Sequence, residues 1–128
     1  MVVTRDGAVG IGTTTPDALL TVNGTIHSKE IKVTASVPAP DYVFEAGYQL
    51  QDLAELKVYV DKNHHLPEIP SAAQIEKEGI NLGDMNLKLL KKVEELTLHL
   101  IEQNRQIAEQ QKINQSLQLQ IDQFAKKN

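Results

Sequence analysis

The chain has 128 residues with 13 basic and 17 acidic side chains, a net charge of −4, and neither cysteine nor tryptophan. Its basic residues are scattered, which argues against nucleic-acid binding, and the lack of cysteine excludes disulfides and thiolate chemistry. Hydrophobic residues make up 41% of the chain but aromatic residues only 4%, so a core would consist mainly of Leu, Ile and Val. Such a small core favours self-association. No apolar run is long enough to predict membrane insertion.

The N-terminal segment, residues 1–37, has the composition of β-structure. Leu20 and Val22 alternate with polar residues, as in a half-buried strand. The dipeptide Asn23-Gly24 favours a two-residue hairpin turn, so we expect a second strand directly after it and a third, out of phase, within residues 25–33. Strands this short are not stable alone, and we expect them to belong to a larger β-fibre.

The middle segment, residues 38–80, predicts a compact helical module that begins at a proline-rich link. Asp52 is placed to cap a helix that ends near Asn63. Ser71 and Gln74 form a capping-box pattern at the start of a second, shorter helix. We predict that the apolar and aromatic residues of this segment form its core: Tyr42, Phe44, Leu53, Leu56, Tyr59, Val60, Leu66, Ile69, Ile75 and Ile80.

The C-terminal segment, residues 81–128, predicts one uninterrupted helix. After Asp84 neither glycine nor proline occurs, and about forty-five helical residues span roughly 65 Å. Positions alternately four and three residues apart form a heptad seam, which we expect to be a coiled-coil core: Leu89, Val93, Leu96, Leu100, Gln103, Ile107, Gln110, Asn114, Leu117, Ile121 and Phe124. A lone helix with this stripe exposed is unfavourable in water, so it needs partner helices.

The composition of the seam favours three helices over two. Additional apolar residues flank the seam and widen the stripe to be buried: Leu90, Ile101, Ala108 and Ile113. The polar residues within the seam lower stability but fix the register of the helices. We therefore expect an α+β protein with N-terminal strands of a trimeric β-fibre, a small helical middle module and a parallel trimeric coiled coil.

No group of residues predicts catalysis, a metal site or a cofactor. The adjacent His64-His65 pair lies in an extended segment, where neighbouring side chains point to opposite sides and chelate one ion poorly. The serines have structural positions in a strand, a linker, a helix cap and an exposed helix face: Ser28, Ser36, Ser71 and Ser116. None of them lies in a nucleophile motif. We expect a protein without enzymatic activity.

Several motifs resemble those of fibre proteins. Residues 9–16 (VGIGTTTP), followed by residues 20–24 (LTVNG), resemble a short repeat of phage tail-fibre and fibre-like bacterial surface proteins. Four later motifs resemble the C-terminal end module of Bacteroidetes fibre proteins, and with the repeat they cover most of the chain: residues 40–45 (PDYVFE), 65–72 (HLPEIPSA), 79–83 (GINLG) and 94–97 (EELT).

The resemblance implies a homotrimeric fibre tip whose partners are two further copies and the upstream fibre segment of the parent protein. The implied location is a virion, another extracellular particle such as a contractile injection system, or the bacterial cell surface. The self-cleavage of some tail-spike end modules is not implied, because the chain lacks their serine motif. Two roles follow, a structural one in trimerisation and capping and a recognition role toward a cell-surface glycan or protein. The low aromatic content favours the structural role.

Overall fold

The computed structural model describes residues 1–34 and 37–128. Over these residues the chain is α+β, with three short strands, a 3₁₀ helix and three α-helices. It divides into two compact units, Met1–Val33 and Thr34–Asn128, so the middle segment and the long helix belong to one unit. Ser36, assigned to a linker from the sequence, lies outside the described residues.

The N-terminal unit is a three-stranded sheet of β1 (Val2–Val3), β2 (Val9–Ile11) and β3 (Leu20–Val22). The central strand β2 pairs antiparallel with β1 and parallel with β3. In the parallel pair Gly10 lies opposite Thr21. The Thr21 hydroxyl donates to the carboxylate of Asp17 at 2.7 Å and accepts from the backbone N–H of that residue at 3.1 Å, which holds the turn before β3.

The predicted hairpin at Asn23-Gly24 is wrong, and residues 25–34 form no strand. The backbone N–H of Asn23 instead donates to the carbonyl of Ile11 at 2.9 Å, and its side-chain amide donates to the carbonyl of Gly12 at 3.3 Å. Asn23 therefore closes the parallel pair rather than opening a hairpin. The strand β1 was not predicted, because two valines give no periodic signal.

Both predicted helix starts in the middle segment are confirmed. Helix α1 (Leu53–Asn63) begins at Asp52, whose carboxylate accepts a hydrogen bond from the backbone N–H two residues later at 2.6 Å. Helix α2 (Ala72–Glu78) begins at Ser71, which makes both bonds of a capping box with Gln74. Each cap satisfies N–H groups that the first helical turn leaves without partners.

The two helices of the predicted middle module do not pack against each other. The Cα atoms of α1 and α2 nowhere approach each other within 8 Å. Between the two helices the chain passes through His64 and Glu68, both in the left-handed region at φ +59° and +66°, and through two prolines that prevent helix. The element that packs against the long helix is the 3₁₀ helix Pro40–Phe44.

The largest fully buried side chains of the described residues are Pro40 and Val43, which the sequence analysis did not select. A 3₁₀ helix has three residues per turn, so residues 40 and 43 share a face. Tyr42 and Phe44, which were selected, lie on other faces and are 38% and 55% exposed. Phe44, a predicted core residue, is therefore largely exposed in the single chain.

The remaining predicted core residues of the middle segment divide into two groups. Five are half-buried: Leu56, Tyr59, Val60, Ile69 and Ile75. Three are exposed within the single chain: Leu53, Leu66 and Ile80. None of the eight is fully buried, so the core of the middle segment is small in the single chain.

The predicted long helix is confirmed as α3 (Leu82–Lys127), whose 46 residues span about 69 Å. From residue 100 to the end of the chain every side chain is exposed. Across residues 1–34 and 37–128, no helix has an apolar stretch of the length needed to cross a membrane.

Candidate functional site

The other segments of the unit pack against only one face of the long helix α3. Several residues of its first half are shielded from solvent on that face: Met85, Leu87, Lys91, Lys92, Glu94, Glu95, Leu98 and His99. At 3.6 residues per turn, the seam residues Leu89, Val93, Leu96 and Leu100 are centred roughly 150° around the helix axis from the middle of that face. The predicted seam therefore points away from the chain's own packing surface.

The apolar residues of the seam are exposed along its whole length. Their exposed fractions range from 47% at Leu89 to 70% at Phe124. The stripe runs along most of a helix of about 69 Å. Exposed apolar side chains that recur along so long a helix are typical of an interaction surface.

The polar positions of the seam bond to each other rather than to residues outside it. The side-chain amide of Gln110 donates to the side-chain oxygen of Asn114 at 2.9 Å. Gln103, one heptad earlier, is exposed like both of these residues. All three present side-chain amides on the exposed seam.

A cluster of ion pairs fixes the middle segment to α3. The ammonium of Lys91 lies 2.6 Å and 2.8 Å from the two carboxylate oxygens of Glu68, and the ammonium of Lys92 lies 2.8 Å from both Glu68 and Glu95. The hydroxyl of Tyr48 donates to Glu95 at 2.6 Å. The two lysine side chains are only 16% and 13% exposed, so these pairs are less screened than surface pairs.

The cluster alters the acidity of its members. Hydrogen bonds from Lys91 and then Lys92 lower the pKa of Glu68. Burial works to lower the pKa of Lys92, but its bonds to Glu68 and Glu95 raise that pKa overall. Burial, and then the hydrogen bond to Glu95, raises the pKa of the Tyr48 hydroxyl. The fold therefore favours the charged forms of Glu68 and Lys92.

The cluster brings together residues from three of the sequence motifs described above. Residues 65–72 place Glu68 in a turn, and residues 94–97 supply Glu95. Residues 40–45 supply Tyr42, whose ring centroid lies 5.9 Å from the ammonium of Lys91. Sequence reasoning found the motifs but not the cluster, because ion pairing between distant segments gives no periodic signal.

Glu94, in the last of these motifs, is a buried carboxylate with an unpartnered oxygen. It is 8% exposed, and its Oε2 atom has no hydrogen-bond partner among the described residues. Burial, and to a smaller extent the negative charge of Asp41, raises its pKa. The sequence analysis did not single it out, because a glutamate within a helix normally lies on the solvated face.

The glycines of the N-terminal repeat have steric causes. A Cβ atom on Gly10 would lie 2.5 Å from the carbonyl oxygen of Thr13. Gly12 has φ +73°, and a Cβ there would lie 2.8 Å from the carbonyl oxygen of Asn23. Close backbone approach, by Thr13 to Gly10 and by Asn23 to Gly12, accounts for the two glycines.

In the described part of the chain, no group of three or more His, Asp or Glu side chains is arranged to hold a metal ion. His65 bonds within its own loop, with Nδ1 2.9 Å from the carbonyl of Leu66, and its ring meets that of Tyr59 edge-on at 5.8 Å. No match is found among known protein families, curated proteins or solved structures. The assignment of function therefore depends on the exposed seam and on the resemblance of the motifs.

Proposed function

We propose that the chain is a non-enzymatic, homotrimeric end module that trimerises, registers and caps a fibre protein. The observation that carries the proposal is the exposed heptad seam of α3, which lies on the side of the helix opposite the packed 3₁₀ helix. The chain's own fold leaves this stripe uncovered, and parallel copies of the same helix present a matching stripe.

Three copies fit the seam better than two. The seam is flanked by further exposed apolar side chains, Leu90 at 44% and Ile101 at 61%. A wider apolar stripe is typical of helices that contact two neighbours instead of one. The polar layers then favour parallel chains in register, because a slipped register leaves buried amides opposite apolar residues.

The proposed module acts by bringing three chains together before the fibre folds. Fibre β-structure nucleates slowly because its contacts join residues far apart in sequence or in different chains. A coiled coil forms from local contacts and then holds the three upstream segments at high local concentration. On this proposal the protein belongs to a virion, another extracellular particle or the bacterial cell surface.

A receptor-binding tip is the second candidate function. It is favoured by the exposure of Phe44, whose ring is 55% accessible in the single chain. An exposed aromatic ring can contact a sugar or an apolar protein surface. In this role, trimerisation serves only to present the receptor-binding surfaces.

An exchange of the coiled coil in a fibre that carries this module separates the two functions. Residues 83–99 also hold the middle segment, so the change begins at Leu100. We expect deletion of residues 100–128 to leave the fibre chains unassembled, and replacement by an unrelated parallel trimeric coiled coil to restore trimers. Chain association is measured by light scattering. Trimers that persist after the deletion would contradict the structural role.

The same fibre tests the recognition role through Phe44→Ala. Loss of attachment to cells by a correctly assembled Phe44→Ala fibre would support recognition. Unchanged attachment and unchanged assembly favour the structural role alone. Asp52→Asn serves as a control that leaves the aromatic surface intact.

A further inference from the structure

An apolar groove opens beside the seam, between α3 and the loops that flank α1. Its walls are apolar side chains of the middle segment together with one seam residue: Leu50, Leu56, Leu66, Pro67 and Leu96. Lys92, Glu95 and His99 form its polar edge. Leu66 is 39% exposed and Leu96 is 54% exposed, so the groove is open in the single chain.

A ridge of exposed residues runs along the other edge of the same seam. It consists of Leu90, Thr97 and Ile101, of which the two apolar residues are 44% and 61% exposed. The hydroxyl of Thr97 donates to the carbonyl of Val93 at 2.8 Å, so this residue presents its methyl group without an unpaired donor. The ridge carries no charge.

The geometry of a parallel coiled coil brings the groove and the ridge together. With Val93 and Leu100 at position a and Leu96 at position d, the groove residues Lys92 and His99 lie at position g. Leu90 and Thr97 lie at position e, with Ile101 next to them. In parallel helices in register, the g edge of one helix faces the e edge of its neighbour.

The two surfaces also lie at matching heights. In a parallel coil, a residue at g faces the e residue five positions later in the neighbouring helix, so Lys92 of one copy lies beside Thr97 of the next. The side chain of Ile101 leans toward the N-terminus of its helix, as all helical side chains do. It therefore projects toward the level of His99, the last groove residue on α3.

We propose that the groove of each copy receives the Leu90–Thr97–Ile101 ridge of the neighbouring copy. The inference rests on the proposed trimer and adds to it an interface in which the middle segment, as well as the helix, contacts the next chain. The occupant is a second copy because Leu96 belongs both to the groove and to the seam. A helix packed on the seam therefore already lies along the groove.

This arrangement completes the small core of the middle segment. Groove and ridge are different surfaces, so each copy uses both, and the contacts close into a ring of three. The ridge of the neighbouring copy covers the groove residues that are half-exposed in the single chain, and no change of backbone conformation is needed. The proline segment that supplies Leu66 and Pro67 then forms part of the trimer interface.

Chemical cross-linking tests the inference directly, because the chain has no cysteine. The variant Leu66→Cys with Ile101→Cys is treated with a short bismaleimide and analysed on a denaturing gel. We expect covalent species of two and three chains at low protein concentration. Leu66→Cys with Leu119→Cys is the control pair, since Leu119 lies on the outer face of the helix some 27 Å farther along it.

The mass of the same untreated variant in solution separates two kinds of failure. A trimeric mass without cross-linked chains would overturn the groove and ridge contact and leave the proposed trimer standing. A monomeric mass would overturn the proposed function itself.

A second variant tests the inference without any reagent. Ile101→Glu places a charge on a side chain that is 61% exposed in the single chain, so it leaves the fold of one chain intact. We expect the melting temperature of the trimer to fall well below that of Leu119→Glu, which has a similar exposure of 62%. Equal melting temperatures for the two variants would overturn the inference.

Discussion

The surroundings of Glu94 in the folded chain disfavour the charged form of its carboxyl group. The residue lies where α3 meets the 3₁₀ helix, and one of its oxygens is shielded from water without a partner in the described residues. Asp41 adds a second negative charge to the same region. The neutral form of the carboxyl is therefore favoured by the fold, whereas the charged form is favoured in the unfolded chain.

Glu94→Gln should stabilise the protein at neutral pH. A raised folded-state pKa means that the wild-type carboxyl contributes most to stability below its ordinary pKa of 4.5 and loses that contribution as pH rises through the raised value. The variant, which cannot ionise, should melt a few degrees higher at pH 7 and about equally at pH 4. Thermal unfolding followed by circular dichroism between pH 4 and 8 gives both values.

The control for this prediction is Glu76→Gln, which removes the same charge from an exposed position. It should leave the pH dependence unchanged. If Glu94→Gln and Glu76→Gln melt alike at every pH, the buried carboxyl does not oppose folding.

At the scale of the element, α3 combines two different surfaces. Its first half is a packing face for the 3₁₀ helix and the ion-pair cluster, and its second half projects with every side chain exposed. Arg105 pairs with Glu102 on this projecting half at 2.7 Å, which lowers the pKa of Glu102 to about 2. Such i,i+3 pairs support the exposed helix only modestly.

Replacing the polar layers tests whether they lie in a helical core. Gln103→Ile, Gln110→Ile and Asn114→Ile together should raise the melting temperature by about 10 °C or more, because three more apolar layers become buried. The triple variant should also populate more than one register, visible as a mixture of masses by light scattering.

The matched control places isoleucine on the outer face of the helix, in the variant Gln115→Ile, Ser116→Ile and Gln123→Ile. It should not raise the melting temperature. Equal effects of the two triple variants would show that the seam is not the association surface.

The elements that could be predicted from the sequence are those set by local chemistry. Asp52 and Ser71 define helix starts because their side chains bond to backbone within three residues. The long helix follows from the absence of breakers after residue 84. The parallel pairing of β2 with β3 could not be predicted, because Asn23-Gly24 is a favourable hairpin turn. In the structure Asn23 bonds instead to Ile11, the last residue of β2, and to Gly12 directly after it.

The candidate site was predictable in part for the same reason. The seam follows from periodicity, whereas the groove and the ion-pair cluster depend on where distant segments meet. Glu68 lies 23 residues from Lys91, and Tyr48 lies 47 residues from Glu95. Val43 was missed because a 3₁₀ turn of five residues leaves no helical or strand period in the sequence.

For the molecule as a whole, few apolar side chains are fully buried and many are exposed among the described residues. Val43 and Pro40 are the largest fully buried side chains of residues 1–34 and 37–128, while leucines and isoleucines are exposed along most of α3. A domain with so small a core gains stability from oligomerisation. In the proposed trimer, one chain is a third of the folded assembly.

The molar mass of the chain in solution, measured by light scattering at micromolar concentration, tests this claim most directly. A single chain is 14.2 kDa, and the account predicts about 43 kDa for three chains. Leu100→Glu, at a seam position 65% exposed in the single chain, should lower that mass, whereas Leu119→Glu on the outer face should leave it unchanged. A mass of one chain for the unmodified protein, or equal masses for both variants, would contradict the account.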